Sequence, residues 1–135
     1  MTIIHHRILL LLVAVMILVG CASMRAKMDE LTKPQSAGDQ LLVKGIKSYE
    51  EGEYSIAAKT LQDSINAGIS RKTDSATAHK YLAFIACGSD NTRKCQDEFR
   101  KAFEDDPRFA LDTAEAGHPV WGPVYLKVRD RMKTK

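Results

Sequence analysis

The sequence predicts an all-α fold, a small domain of helical hairpins that is closed by a C-terminal helix. Apolar residues recur every three to four positions, which is the period of a helix with one buried face. Strand signals are weak, because no stretch alternates steadily between apolar and polar residues and neither Asn-Gly nor Asp-Gly occurs. With 135 residues, the chain has room for one such domain.

The helical period and the turn residues together divide the chain into elements. Five helices are predicted, near residues 39–51, 54–67, 73–87, 92–105 and 122–133. Turn sequences at residues 51–53 and 88–91 separate the members of the first and second pairs. Thr92 is a candidate N-cap for the fourth helix, and Pro123 suits the first turn of the last helix.

The C-terminal tail, residues 106–135, is expected to cover the end of the second hairpin. Its loop at residues 116–123 holds Trp121, the only tryptophan, whose large apolar ring is expected to anchor the loop against the helices. Apolar residues of the last helix are expected to dock on the second hairpin: Val124, Leu126, Val128 and Met132.

The N-terminus has the composition of a targeting segment. Residues 8–19 are 12 consecutive apolar residues that follow His5, His6 and Arg7. A helix of that length rises about 18 Å, whereas a membrane span needs roughly 20 residues. Residues 1–20 are therefore predicted to be a secretory signal peptide.

The residues that end this segment carry a family resemblance. Leu-Val-Gly-Cys at positions 18–21 resembles the lipobox of bacterial lipoproteins. The resemblance implies cleavage before Cys21, a diacylglycerol on its sulfur and a further acyl chain, such as palmitate, on the new N-terminus. It implies an anchor in the lipid bilayer, and Ala22 in place of Asp favours the outer membrane, facing the periplasm, over the inner membrane. The alternative is a signal-anchor helix with an incidental cysteine.

Polar residues then predict a lipid-anchored tether over residues 21–38, before a helical domain at 39–135. Residues 45–65 resemble one tetratricopeptide repeat (TPR), and residues 82–107 resemble a second. The matching positions are small residues in the paired helices and one bulky residue between them: Gly45 and Ala83, Ala57 and Cys95, Leu61 and Phe99. The two repeats are 38 residues apart, against a family period of 34. Generic helical hairpins with coincidental spacing are the alternative.

The resemblance implies an all-α, TPR-like domain of about two repeats with a C-terminal capping helix. It also implies a concave binding face made by the first helix of each pair. By register, that face includes six candidate partner-binding residues: Leu42, Ile46, Tyr49, Glu50, Lys80 and Phe84. Apolar centres with a charged rim suit a helix or an extended peptide from a partner. Alternatively, Leu42, Ile46 and Phe84 are core residues that the tether or the tail covers.

The remaining cysteines suggest a crosslink. With Cys21 as the lipid acceptor, Cys87 and Cys95 form an even remainder in an oxidising compartment, which predicts a disulfide. They lie four residues before and after Asn91, so antiparallel helices would place them opposite each other. Two buried free thiols are the alternative. A zinc site is not expected, because no histidine lies close to this pair in the sequence.

Catalytic motifs are missing from the sequence. It contains neither a Gly-x-Ser-x-Gly element nor a glycine-rich phosphate loop. His79 is expected to be a packing or surface residue, and His118 to form a loop hydrogen bond. A net charge of +3 with basic and acidic residues interspersed does not indicate a nucleic-acid partner. No enzyme activity, cofactor, metal or small-molecule substrate is expected.

The expected function is that of a lipoprotein adaptor or assembly factor. It would bind a protein or peptide of an envelope complex, for example a secretion system, through the predicted concave face. Two alternatives remain open at this stage: a structural envelope lipoprotein without a dedicated partner, and a lipoprotein associated with peptidoglycan.

Overall fold

The computed structural model describes residues 35–134, which form helices and connecting loops without any strand. This part of the chain holds six helices: α1 (Ala37–Glu50), α2 (Tyr54–Ala67), α3 (Lys72–Gly88), α4 (Thr92–Asp105), α5 (Thr113–Ala116) and α6 (Gly122–Lys133). The all-α prediction is confirmed. The predictions for residues 1–34, which include the signal peptide, Cys21 and most of the tether, lie outside the described residues.

The helices are arranged as two hairpins and a cap. Helix α1 packs against α2, and α3 packs against α4, while α3 also contacts both helices of the first hairpin. Helix α6 packs on α4, and the short helix α5 packs against α6. This packing of hairpins is compatible with TPR-like repeats.

Two capping boxes account for helix starts that differ from the predictions. Ser36 accepts a hydrogen bond from the Asp39 backbone N–H, and Asp39 accepts one from the Ser36 N–H, both at 3.0 Å. Helix α1 therefore begins at Ala37, inside the segment predicted to be tether. Asp112 caps the unpredicted helix α5 in the same way, with Glu115 as its partner. At α4, the N-cap is Asn91 and not Thr92, because the Asn91 side chain accepts from the Lys94 N–H.

The turns of the two hairpins share one backbone conformation. Gly52 has φ +79° and Asp90 has φ +59°, and the two residues are 38 positions apart, like the matching helix positions. This left-handed region favours glycine, but aspartate adopts it more readily than most residues. The second hairpin therefore makes the same turn without a glycine.

The close approach of α1 to α2 depends on Gly45. A Cβ atom at this position would lie 2.7 Å from Leu61 Cγ, closer than carbon atoms approach without repulsion. The absence of a side chain lets α1 lie directly against α2, and Leu61 is fully buried at the contact. This is the role that the repeat resemblance implies for Gly45.

Within residues 35–134 the core forms two clusters, and Tyr81 packs against both. The first lies between the hairpins and comprises Leu42, Leu61, Ala78 and Leu82. The second is aromatic and extends to the cap, with Phe84, Phe99, Phe103 and Tyr125 among its members. On α6, Tyr125 and Val128 are buried and Val124 and Met132 pack against the cluster. The expectation for Leu126 is wrong, because it lies off this stripe and is 38% exposed.

The start of α1 is hydrogen-bonded to the loop between α2 and α3. The Asp39 carboxylate accepts from the Ser70 backbone N–H at 2.9 Å and from its hydroxyl at 2.7 Å. Hydrogen bonds from Ser70 and Ser36 to the carboxylate hold the pKa of Asp39 well below its usual range.

Among residues 35–134, no helix has the length and apolar character that crossing a membrane requires.

Candidate protein-binding face

Helices α1 and α3 lie side by side and form one continuous surface. We call this surface the α1–α3 face, and its accessible members are Ile46, Tyr49, Glu50, Lys80 and Tyr81. The Tyr49 ring lies 4.9 Å from that of Tyr81 and 5.4 Å from that of Tyr54, measured between centroids. Tyr54 is 53% exposed. Three tyrosines thus form a partly exposed aromatic row at the end of the first hairpin.

The six predicted contact residues divide into accessible and buried groups. Glu50 is exposed at the last position of α1, and Ile46 and Tyr49 are half-buried. Leu42 is only 6% exposed and Phe84 only 4% exposed. The prediction that Leu42 and Phe84 contact a partner is therefore wrong. Both belong to the core, because Leu42 packs between the hairpins and the tail covers Phe84.

Lys80 is half-buried and already has a partner within the chain. Its Nζ atom lies 2.6 Å from Glu115 Oε1, and only 17% of the lysine side chain is exposed. The same ammonium group lies 4.9 Å from the centroid of Tyr81, within the range of a cation–π interaction. The charge of Lys80 is therefore neutralised locally and is less available to a partner than the sequence suggested.

The tail occupies the α3 side of this face. The Trp121 ring stacks on Phe84 with centroids 4.3 Å apart, as the expected anchoring role requires, and His118 stacks on the outer side of Trp121 at 3.4 Å. The Trp121 indole N–H donates to the Glu115 carbonyl oxygen at 2.9 Å. The tail thus covers Phe84 and holds Lys80, while Tyr49 and Glu50 on α1 remain accessible.

Tyr49 is the central residue of the accessible part. Its pKa is raised, first because burial disfavours the charged phenolate and then because Tyr54 and Tyr81 lie close to it. The hydroxyl is therefore protonated at neutral pH and can both donate and accept a hydrogen bond. Aromatic rings that have one apolar side and one polar, hydrated end are common at protein interfaces.

A disulfide closes the second hairpin. Cys87 at the end of α3 and Cys95 in the first turn of α4 are bonded, with their Cα atoms 5.2 Å apart. The bond spans the turn that contains Asp90. It joins the two helices immediately beside the aromatic cluster, since both cysteines are core members.

A buried polar network links α3 to α4, and the sequence did not reveal it. His79 Nδ1 lies 2.7 Å from Glu98 Oε2, and Lys101 donates to the other carboxylate oxygen of Glu98 at 3.0 Å. Burial acts to raise the pKa of Glu98, but the hydrogen bonds from His79 and Lys101 outweigh it and lower the pKa. His79 is thus a buried structural residue.

The other ring nitrogen of His79 faces a second carboxylate. Its Nε2 atom lies 3.7 Å from Asp105 Oδ2. Asp105 accepts hydrogen bonds from Ser75 and Lys72, and these lower its pKa against the opposing effect of burial. The Ser75 hydroxyl is bonded to a carboxylate and not to the imidazole. The cluster therefore lacks the serine–histidine hydrogen bond of an activated nucleophile.

Within residues 35–134, no group of three or more His, Cys, Asp and Glu side chains is arranged to hold a metal ion. His118 accepts a hydrogen bond from the Val120 N–H, as expected for a loop histidine.

The chain matches no protein-family model, no curated protein and no solved structure.

Proposed function

We propose that this protein is a membrane-anchored adaptor or assembly factor that binds a peptide segment of an envelope protein on the α1–α3 face. The observation that carries the proposal is the partly exposed tyrosine row centred on Tyr49, with the exposed Glu50 as the next residue of α1. The proposal assigns the protein no catalytic activity. An envelope machine such as a secretion system would provide a partner of this kind.

The chemistry of the row favours a protein partner. Tyrosine side chains contribute strongly to binding energy at interfaces, because they bury a large ring and retain a hydrogen-bonding hydroxyl. Tyr49 and Tyr81 are held in place by ring contacts before any partner arrives. A rigid surface of this type loses little conformational entropy on binding.

The membrane anchor forms the second part of the proposal and depends on Cys21. Acyl chains on Cys21 would hold the helical domain at the periplasmic side of the outer membrane. Two or more lipid chains give stable attachment, whereas one gives only reversible binding. The lipobox resemblance at positions 18–21 supports this part.

Site-specific photocrosslinking in cells tests the binding face. A photoreactive amino acid at Glu50 in the full chain is expected to capture one defined envelope protein, identified by mass spectrometry. Tyr49→Ser should reduce the yield of that adduct at least fivefold, because it removes the central ring. A probe at Asp97, exposed on α4, is the matched control and should not capture the same protein.

Two outcomes would contradict the proposed binding face. One is equal capture from Glu50 and Asp97, and the other is a Tyr49→Ser variant that is folded by circular dichroism and retains the full adduct. Co-sedimentation with purified peptidoglycan that is unaffected by Tyr49→Ser would favour the structural alternative instead.

The anchor has its own test, which does not depend on the partner. Cys21→Ser should abolish incorporation of labelled palmitate and remove the protein from the outer-membrane fraction. If the variant stays in that fraction as completely as the native chain, the proposed lipid anchor is wrong.

A further inference from the structure

A groove lies in the C-terminal part of the chain, and its lining includes none of the residues of the α1–α3 face. We call it the tail groove. It has a volume of about 720 Å³ and lies between the end of α4, residues 107–111 and α6. Pockets for small-molecule ligands commonly measure about 300–1,000 Å³. The tail groove is therefore large enough to hold a bulky side chain together with part of its backbone.

The floor of the tail groove is apolar and aromatic. The rings of Phe103 and Phe109 meet edge to face at 5.2 Å, and Phe103 stacks on Tyr125 at 5.8 Å. Leu111 and Met132 complete the floor. Because Phe103, Tyr125 and Leu111 are fixed in the core, the floor is preformed.

The rim of the tail groove is positively charged. Among the described residues, three bases line it, Arg108, Arg129 and Lys133, against one acid, Glu104. Arg129 already donates to Asp130 at 2.8 Å, so Arg108 and Lys133 carry the charge that is more available to an occupant. Glu104 already pairs with Arg100 at 2.7 Å. The Arg108 side chain is 91% exposed, and its contact with Asp106 is long, at 3.9 Å. An occupant with negative charge beside its apolar group complements this rim.

The backbone along one side of the groove favours a peptide over a lipid. Ala110 lines the groove and is exposed. Within residues 35–134, neither its N–H nor its C=O forms a hydrogen bond. An extended peptide can use such groups for main-chain hydrogen bonds, whereas an acyl chain cannot.

We infer that the tail groove binds an acidic peptide segment of another protein, with one large apolar side chain on the aromatic floor. Carboxylates on either side of that anchor would face Arg108 and Lys133. This site does not depend on the α1–α3 face, so each can fail without the other.

Fluorescence anisotropy with a designed peptide tests the inference. The probe is a fluorescein-labelled decapeptide with one phenylalanine among aspartates and glutamates, titrated with the full chain in detergent. We expect saturable binding that weakens as salt is added, since exposed charges are screened. Replacing the phenylalanine by alanine, or the acids by lysines, should weaken binding at least tenfold.

Protein variants then locate the site. Arg108→Glu should weaken binding of the acidic peptide about tenfold, because it exchanges an attraction for a repulsion. Lys94→Glu makes the same charge change at an exposed residue outside the groove and should change binding less than twofold. Tyr49→Ser should leave binding unchanged, which separates this site from the proposed binding face.

Three results would overturn the inference. They are equal affinity for acidic and basic peptides, an Arg108→Glu variant that binds as tightly as the native chain, and failure of the acidic peptide to bind at all. An acyl ligand is examined with octanoate. If octanoate displaces the peptide at concentrations below the peptide's own Kd, the groove is a lipid site and the peptide assignment is wrong.

Discussion

Removal of the disulfide should measurably destabilise the helical domain. The perturbation is the double variant Cys87→Ala, Cys95→Ala, which leaves the hairpin turn intact. The bonded residues are separated by 8 positions. For a loop of that size, the chain-entropy relation gives about 2.5 kcal/mol of stabilisation, through restriction of the unfolded chain.

That free energy is large for a domain of this size. Small domains have free energies of unfolding of about 5–15 kcal/mol, so the bond would supply a substantial part of the total. The expected fall in Tm is about 10–20 °C for roughly 100 ordered residues. Both cysteines are buried in the aromatic cluster, so the alanines also leave a small cavity that adds to the loss.

Urea unfolding followed by circular dichroism measures the effect. The midpoint of the native chain should fall by about 1–2 M on addition of reductant, given slopes of roughly 1–3 kcal/mol per molar urea. The double variant should unfold at or slightly below the midpoint of the reduced native chain, and reductant should not change it further. This control separates loss of the crosslink from loss of the sulfur atoms.

Two results would refute the reasoning. The first is a native midpoint that does not change with reductant although mass spectrometry shows the bond to be broken. The second is one reactive thiol at each cysteine in the folded, unreduced protein, which would show that the bond is absent.

The other predictions concern packing and pH. Gly45→Ala should lower the free energy of unfolding by about 1–2 kcal/mol, since strain against Leu61 exceeds the gain in helix propensity. Gly88→Ala is the control, because a Cβ there would meet nothing within 4 Å, and it should be neutral or stabilising. Equal effects of the two substitutions in urea unfolding would contradict this prediction. Folding lowers the pKa values of Glu98 and Asp105. Both carboxylates therefore stabilise the domain at pH values above their pKa in the unfolded chain, and this contribution is lost as the pH falls through their pKa in the folded domain. Stability should therefore decline below about pH 5. Glu98→Gln should flatten that decline, whereas Glu104→Gln, at an exposed position, should not; identical pH profiles for the native chain and Glu98→Gln would contradict the assignment. Trp121→Ala should destabilise the domain by about 3 kcal/mol or more, because it removes the ring stacked on Phe84, and a change below 1 kcal/mol would show that the tail is not docked.

The local features of this fold were predictable from the sequence. Helical periodicity located α2, α4 and α6 with their observed bounds, because each has a clear apolar stripe between turn residues. The start of α1 was placed late because Pro34 and Gly38 suggested a break, although Ser36 and Asp39 have the spacing of a capping box.

Long-range features could not be predicted in the same way. Burial of Phe84 depends on Trp121, which is 37 positions away, and no local pattern records that stacking. The pair His79 and Glu98 forms only when α3 and α4 are packed together. The tail groove combines residues from three separate segments, so its basic rim is not visible as a charge cluster in the sequence.

The position of Trp121 also provides a spectroscopic property. It is the only tryptophan of the chain, and it lies between the rings of His118 and Phe84. Its fluorescence emission therefore comes from a single site and reports whether the tail rests on α3. A partner that shifts the tail on approaching the neighbouring tyrosines would change the emission of the unlabelled protein, so binding and rearrangement can be timed in one stopped-flow experiment.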